Sequence, residues 1–189
     1  MSDFINDVER CLTVLQFGGV ILYPTDTIWG LGCDATNPAA IQKLMEIKGK
    51  PLHKGLIVIL ATERDVLQYV ASPDLEVFDY LVTTNKPTTV IYEDGLEVAD
   101  EVLNEDGSIA IRLVQEDFCR YLLKRFKKPI VSTSANIHGY PSPQNFASVS
   151  INIKDAVDYI VQYRRSENLV NNPSSIIKWK GGEVEIIRE

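Results

Sequence analysis

The segment NPAAIQKLMEIKGKPLHKGLIVIL (residues 37–60) joins a predicted helix to a predicted strand, and this pair decides the fold class. Asn37 followed by Pro38 is typical of a helix N-cap and the first helical residue. Apolar residues then recur at helical spacing up to residue 45. The run LIVIL (56–60) has no polar residue, which predicts a strand buried on both faces. A helix followed by such a strand indicates an α/β fold.

Helix and strand patterns alternate irregularly along the rest of the chain. Helices are predicted over residues 3–17, 74–83 and 116–126, and after Thr62, which forms a capping-box pattern with Asp65. Strands are predicted over residues 20–23, 88–92, 108–114, 129–133, 158–163, 174–179 and 183–187. No strand is predicted between residues 24 and 36. We interpret residues 1–189 as one domain built on a mixed parallel and antiparallel sheet that helices cover.

The composition is typical of a globular cytoplasmic protein. Of 189 residues, 45% are hydrophobic and 24% are charged. No run reaches the roughly 18 apolar residues of a membrane span, and the N-terminus has no signal-peptide pattern. Three widely spaced cysteines and two histidines form no zinc motif, so we expect reduced thiols. A net charge of −7 argues against broad nucleic-acid binding but allows a local anion site.

Three lysines lie between the end of the helix predicted after Asn37 and the strand predicted at residues 56–60. Lys48 occupies the next position of the apolar helical stripe, and Lys50 and Lys54 follow within six residues. A lysine in a last helical turn can simply complement the helix dipole. Three ammonium groups this close repel one another unless an anion lies between them, so the loop favours a polyphosphate ligand.

Two further segments carry small polar residues after a predicted strand. Residues 23–38 offer Thr25, Asp26 and Thr27 and then two glycines beside Trp29, which suit close approach to a ligand. Residues 129–143 place Ser132, Thr133, Ser134 and Asn136 at a strand end, where hydroxyls and backbone N–H groups can hold phosphate. Both segments can also be ordinary turns, with Trp29 in the core. Arg112 interrupts an apolar strand and predicts either a carboxylate partner or an exposed position.

Taken in order, five motifs resemble the YrdC-like threonylcarbamoyl-AMP synthase family: PTDTIWGL, KGKPLHKGLIVI, IRL, STSAN and PSSII. The resemblance covers nearly the whole chain and matches the short, single-domain form. It implies a twisted mixed sheet around a concave, basic cavity. It also implies a reaction in which L-threonine, bicarbonate and ATP, with Mg²⁺, give threonylcarbamoyl-AMP and pyrophosphate. The product would supply a transferase complex that modifies tRNA, and a contact with tRNA or double-stranded RNA is a further expectation.

The resemblance also implies the site residues. The catalytic residues would be Lys48, Lys50, Ser134 and Asn136. ATP would be bound by Lys50, Lys54, Ser108, Ser134, Ser142 and Arg188. Threonine would be bound by Thr27, Arg112, Ser132 and Ser174, and no residue is assigned to a metal.

The chain departs from the family pattern at two positions and in one short segment, residues 86–89. Lys50 replaces the signature arginine, which keeps the charge but loses the planar two-pronged grip on phosphate. Ile59 stands where some members have a histidine. The family's PG-x-x-T pattern is reduced to KPTT (86–89), in which Thr89 is the equivalent threonine.

Three alternatives to the synthase remain from the sequence. A related module makes carbamoyl-adenylate, but in much larger chains with zinc-finger and acylphosphatase segments. A non-catalytic module could bind a nucleotide or double-stranded RNA, and a degenerate member could act as a scaffold. We also expect residues 163–172, which are polar, to form a lid over the pocket.

Overall fold

A mixed sheet organises the parts of the chain that the computed structural model describes, residues 3–49, 56–84, 86–167 and 172–189. Its strands are β1 (Ile21–Tyr23), β2 (Gly30–Asp34), β3 (Ile57–Leu60), β4 (Thr88–Tyr92), β5 (Ile109–Leu113), β6 (Ile130–Ser134), β7 (Tyr159–Ile160), β8 (Ser175–Lys180) and β9 (Glu183–Arg188). The helices are α1 (Ile5–Gln16), α2 (Pro38–Ile47), α3 (Glu63–Tyr69), α4 (Glu76–Thr83), α5 (Asp117–Phe126) and α6 (Ile151–Ala156). A 3₁₀ turn spans Phe146–Ser148.

The described strands lie in the order β7-β1-β2-β6-β3-β5-β4-β8-β9. Three pairs are parallel, namely β1 with β7, β3 with β5 and β4 with β8, and the others are antiparallel. The predicted mixed α/β sheet is therefore confirmed. In this order β6 lies inside the sheet, between β2 and β3, and its polar C-terminal residues 132–134 pair with β2 alone.

Local sequence signals fix where the helices begin. The Asn37 side chain accepts hydrogen bonds from the backbone N–H groups of Ala39 and Ala40, with Pro38 in the first turn of α2. Thr62 and Asp65 form the predicted capping box at the start of α3. These two predictions are confirmed. Each could be made from the sequence because it depends only on residues close together in the chain.

Helices pack against both faces of the sheet and divide the core in two. On one face, α2, α3 and α4 bury strand residues such as Leu31, Val58 and Ile111. On the other face, α1 and α5 bury Tyr23, Ile59 and related residues. Because side chains alternate along a strand, β1, β3 and β6 each contribute to both cores. The second face carries the candidate site, described below.

Some elements differ from the sequence prediction. Strand β2 and helix α6 were not predicted, and the strand predicted at residues 158–163 is reduced to the two residues of β7. The other predicted helices and strands are present within a few residues of their expected bounds. Among the described residues, no helix has the length and apolar character needed to cross a membrane.

Candidate active site

A polar cavity of about 230 Å³ opens on the sheet face that carries α1 and α5, beyond the strand positions that these helices bury. The strand residues in its wall include Gly30, Ile57, Arg112, Ser132, Thr133 and Ser134. Loops contribute Thr25, Thr27, Ser142, Pro173 and Ser174, and the last residue of β9 contributes the Arg188 side chain. Among the described lining residues there are two arginines and no carboxylate. The wall therefore suits an anionic, hydrogen-bonding ligand.

Arg112 is the buried cation of this cavity. Only 4% of its surface is exposed. Its Nη1 donates to the Thr27 hydroxyl at 2.7 Å, and its Nη2 lies 3.5 Å from Oδ1 of Asp26. Within the described structure, the Arg112 Nε and the Asp26 Oδ1 have no hydrogen-bond partner. A buried guanidinium with such a loosely held carboxylate retains the capacity to bind a second one, from a ligand.

The hydrogen bonds around Thr27 determine what its hydroxyl can offer. Thr25 Oγ1 donates its one hydrogen to the Ile28 carbonyl at 2.8 Å. In the 2.9 Å contact between the two threonines, Thr27 must therefore be the donor. Because Thr27 Oγ1 also accepts from Arg112, one lone pair is left. Thr27 can use it to accept a hydrogen bond from a ligand N–H or O–H group.

Arg188 brings a second positive charge to the same cavity. Its Nη2 donates to the carbonyl of Ser174 at 2.7 Å, and the Ser174 hydroxyl lies 2.8 Å from that of Thr89. Burial, and after it the positive charge of Arg112, lowers the pKa of Arg188. An anion bound near both arginines would relieve this unfavourable charge environment.

Lys48 and Asn136 support the loop that follows β6. The Lys48 ammonium is buried and donates to the carbonyls of Ser134 at 2.6 Å and Asn136 at 2.9 Å. The Asn136 amide nitrogen donates to the carbonyls of Ile137 and Tyr140. Lys48 therefore points inward, as one sequence interpretation required, but its ammonium contacts backbone carbonyls. The catalytic roles of Lys48 and Asn136 remain predictions.

The structure brings together seven of the residues that the resemblance assigned to substrates. All seven line one cavity: Thr27, Arg112, Ser132, Ser134, Ser142, Ser174 and Arg188. Ser108 is not among the lining residues, and its hydroxyl donates to Asp106 at 2.6 Å and accepts from the Asn104 amide. Lys50 and Lys54 lie outside the described residues, as do residues 168–171 of the expected lid. Their roles stay predictions.

Sequence reasoning missed two residues beside the cavity. Asp26 was noted only as a small polar residue, although it supplies the carboxylate next to Arg112. Tyr23 was assigned to a strand, but its hydroxyl donates to Ser132 at 2.7 Å. Glycines at alternate strand positions, as at Gly30 and Gly32, leave room on one face of a sheet, but this signal could be used only once β2 is known to be a strand.

The three cysteines are not reactive groups of this site. Cys11, Cys33 and Cys119 are free and buried. Burial raises the pKa of each thiol. Protonated thiols are poor nucleophiles, so the cysteines act as core residues, which agrees with the sequence interpretation.

The fold and the cavity define a class of protein: a mixed-sheet α/β domain with a pocket of arginines and hydroxyls for a small anionic ligand. Residues 13–189 match the family model for Sua5, YciO and YrdC, whose description reads "Telomere recombination". The match covers most of the chain, and the chain belongs to the Sua5/YciO/YrdC family.

Individual relatives agree with this assignment. A threonylcarbamoyl-AMP synthase of Vibrio campbellii is 35% identical over 183 residues, which cover 95% of this chain and 98% of the relative. The structure of P. abyssi Sua5 complexed with L-threonine shares the fold with a TM-score of 0.82 at 21% identity, covering 96% of this chain and 53% of that one. E. coli YciO has a TM-score of 0.82 at 21% identity, covering 97% of this chain and 89% of its own.

Proposed function

We propose that this chain catalyses the synthesis of threonylcarbamoyl-AMP and pyrophosphate from L-threonine, bicarbonate and ATP. The observation that carries the proposal is the buried Arg112, bonded to Thr27 inside a cavity lined by serine hydroxyls. The near full-length similarity to threonylcarbamoyl-AMP synthases supports it. The reaction belongs to the nucleotidyltransferases, since the AMP part of ATP is transferred to a carboxylate.

The threonine side of the cavity would be formed by Arg112, Thr27, Ser132 and Ser174. Arg112 would bind the threonine carboxylate, because a guanidinium offers paired donors in the geometry of that group. Thr27 has one acceptor lone pair left, which suits the amine or hydroxyl of the substrate. The P. abyssi Sua5 structure with L-threonine supports a threonine ligand for this fold.

The nucleotide side would be formed by the other polar residues of the cavity and the lysine loop. Ser134, Ser142 and Arg188 line the same space as Arg112. Lys48 and Asn136 shape the loop next to Ser134. Lys50, Lys54 and Ser108 complete the proposed ATP-binding set on the strength of the resemblance alone.

The chemistry needs positioning and charge stabilisation more than covalent work by side chains. The threonine amine combines with bicarbonate to give a carbamate and water, and a carbamate oxygen then attacks the α-phosphorus while pyrophosphate leaves. The arginines would stabilise the negative charge that develops, and a water-poor cavity would protect the labile carbamate.

We propose that Mg²⁺ enters the site bound to the phosphates of ATP. The cavity wall, where the structure describes it, offers hydroxyls and arginines, and the described residues include no cluster of three or more histidine, cysteine or acidic side chains that could hold a metal. Such a wall fits a metal ligated mainly by phosphate oxygens and water. The ion and the protein's cationic side chains would together neutralise the charge of the phosphates.

The product would pass to a transferase complex that modifies tRNA, because a mixed anhydride of this kind is an activated group donor. A direct contact with tRNA or double-stranded RNA is an independent part of the proposal. Steep loss of RNA binding with rising salt would support that contact, since each phosphate contact adds to the salt dependence.

Pyrophosphate release by the purified protein tests the proposal. With ATP and Mg²⁺ present, L-threonine and bicarbonate are added and omitted separately. We expect release only with both, and a sharp fall in the Lys48→Ala variant, which loses the ammonium that ties the loop after β6. Release that ignores threonine, or nucleotide binding without any release, would contradict the synthase and favour a binding module.

A further inference from the structure

Tyr23 and Ser132 are joined across an intervening strand. Tyr23 lies at the end of β1 and Ser132 in β6, and β2 runs between those two strands. Even so, the Tyr23 hydroxyl donates to Ser132 Oγ at 2.7 Å. The Tyr23 side chain is fully buried, whereas Ser132 lines the cavity. Tyr23 thus contacts a cavity residue from the buried core on the same sheet face.

The two glycines of β2 make this contact geometrically feasible. A β-carbon at Gly32 would lie 2.8 Å from Cε1 of the Tyr23 ring and 3.0 Å from a methyl carbon of Ile130. At Gly30 it would lie 3.6 Å from the same ring carbon and 3.5 Å from Ser132 Oγ. Any side chain at position 32 would collide with the ring. The predicted close approach at Gly32 is therefore to Tyr23, and only Gly30 lines the cavity.

The direction of the hydrogen bond limits what Ser132 can do. Burial is the main cause that raises the pKa of Tyr23, so its hydroxyl stays protonated and remains a donor. Ser132 Oγ accepts that hydrogen. A serine hydroxyl has one hydrogen of its own, which is then left to be donated elsewhere. On the cavity side, the natural acceptor is an oxygen of the ligand.

We propose that Tyr23 is a positioning residue that fixes Ser132 as a hydrogen-bond donor to an acceptor oxygen of bound L-threonine. The inference rests on the proposed function and deepens it, because it states which residues of the site donate hydrogen bonds to the substrate and which accept them. Ser132 and Arg112 present donors to the substrate, while Thr27 presents an acceptor. A ligand with a carboxylate and an N–H or O–H group close together satisfies all three.

Isothermal titration calorimetry of L-threonine, with a non-hydrolysable ATP analogue present, tests this role. We compare the wild type with Tyr23→Phe, Ser132→Ala and the double variant. Tyr23→Phe keeps the ring and removes only the donor, so we expect about five- to tenfold weaker threonine binding. In the Ser132→Ala background the same change should have almost no effect, because Tyr23 acts through Ser132. Affinity for the nucleotide analogue should be unchanged.

Two variants separate positioning from general damage to the fold. Tyr159→Phe removes another tyrosine hydroxyl bond, the one donated to Asp7 at 2.6 Å, outside the cavity wall. We expect it to lower thermal stability without changing threonine affinity. Gly32→Ala should displace the Tyr23 ring and weaken threonine binding more than Tyr23→Phe does, provided that it folds.

Each result distinguishes this inference from the proposed function. Unchanged threonine affinity in Tyr23→Phe, or additive losses in the double variant, would overturn the role of Tyr23 while leaving the synthase intact. If the wild type binds threonine and the variants bind it more weakly as expected, but no pyrophosphate is released, the inference holds and the synthase proposal fails. If wild-type protein binds no L-threonine, the inference is overturned.

Discussion

The sheet face that carries the cavity contains two regions of opposite character. Under α1 and α5, strand residues such as Ile59 and Ile130 are fully buried in an apolar core. Further along, the same face presents Arg112, Ser132 and Ser134 to the cavity. Strand β6 crosses from one region to the other within five residues. One face of one sheet thus provides both a core and a binding site.

The difference teaches that helix coverage and the side chains at alternate strand positions divide stability from function. Strand β6 pairs with β2 along its whole length, whereas its pairing with β3 is limited to Ile130 and Val131 in the covered region. What changes is the side chain at alternate positions and the presence of a covering helix. Substitutions in the covered region should therefore lower stability, and those in the open region should lower substrate binding.

The largest effect is expected in the covered region, for Leu122→Ala in α5. Leu122 is fully buried in the core beneath α1 and α5. Removing its side chain should lower the free energy of unfolding by about 3 kcal/mol, through lost burial and a residual cavity. Urea denaturation measures the loss, and threonine affinity of the folded fraction should be unchanged.

Leu67→Ala is the matched control for that substitution. Leu67 is also a helical leucine, but it is 52% exposed. Its loss should change the free energy of unfolding by less than about 0.5 kcal/mol. Equal losses for the two variants would contradict the assignment of stability to the covered region.

In the open region, Arg112→Met should weaken L-threonine binding by about 100-fold, because charge-assisted hydrogen bonds to the carboxylate are lost. Nucleotide affinity should change much less. Arg125→Met is the control, since Arg125 is 42% exposed and paired with Glu9 at 2.9 Å on the surface. Threonine binding that survives Arg112→Met would remove this arginine from the threonine site.

The opposite sheet face offers a smaller effect. Asn37→Ala removes the cap of α2 and should lower the free energy of unfolding by about 1 kcal/mol. Asn37→Asp keeps an acceptor at the helix N-terminus and should restore most of the loss. Thermal denaturation of the two variants checks this expectation. A loss in Asn37→Asp as large as in Asn37→Ala would show that the cap itself is unimportant.

The smallest effect concerns pH and Asp158. Burial tends to raise the pKa of Asp158, but hydrogen bonds from Lys43 and the Val20 backbone outweigh it, and the net pKa lies below the usual 3.8. The carboxylate therefore stabilises the fold above about pH 4, and this contribution is lost as pH falls through the lowered pKa. Asp158→Asn should lose less stability than wild type over that acid range. Parallel curves in acid denaturation would contradict the prediction.

Much of the fold could be predicted because its signals are local. The caps at Asn37 and Thr62 depend on neighbouring residues, and the apolar run of β3 depends on composition alone. Strand β2 was missed because its glycines at positions 30 and 32 disfavour a strand. These glycines leave room for the ring of Tyr23, which lies on another strand, and a pattern within one segment does not show such a contact.

The site was predicted less evenly, and for a similar reason. Motif resemblance located Arg112, Ser132 and Ser174 in one cavity, as the structure has them. It gave no reason to pair Asp26 with Arg112, because that contact joins residues 86 positions apart in the chain. The direction of hydrogen bonds at Thr27 also needed the three-dimensional arrangement. Residue types can be predicted from motifs, but their partners require the fold.

Mass spectrometry of the nucleotide products, formed with ¹³C-bicarbonate, tests the central claim that the open region of the sheet face builds a threonylcarbamoyl-adenylate. We expect an adduct of AMP that carries the label and forms only when L-threonine is present. The adduct should be strongly reduced in Arg112→Met and retained in Arg125→Met. Unlabelled AMP or ADP as the only product, or a labelled adduct that forms without threonine, would contradict the account.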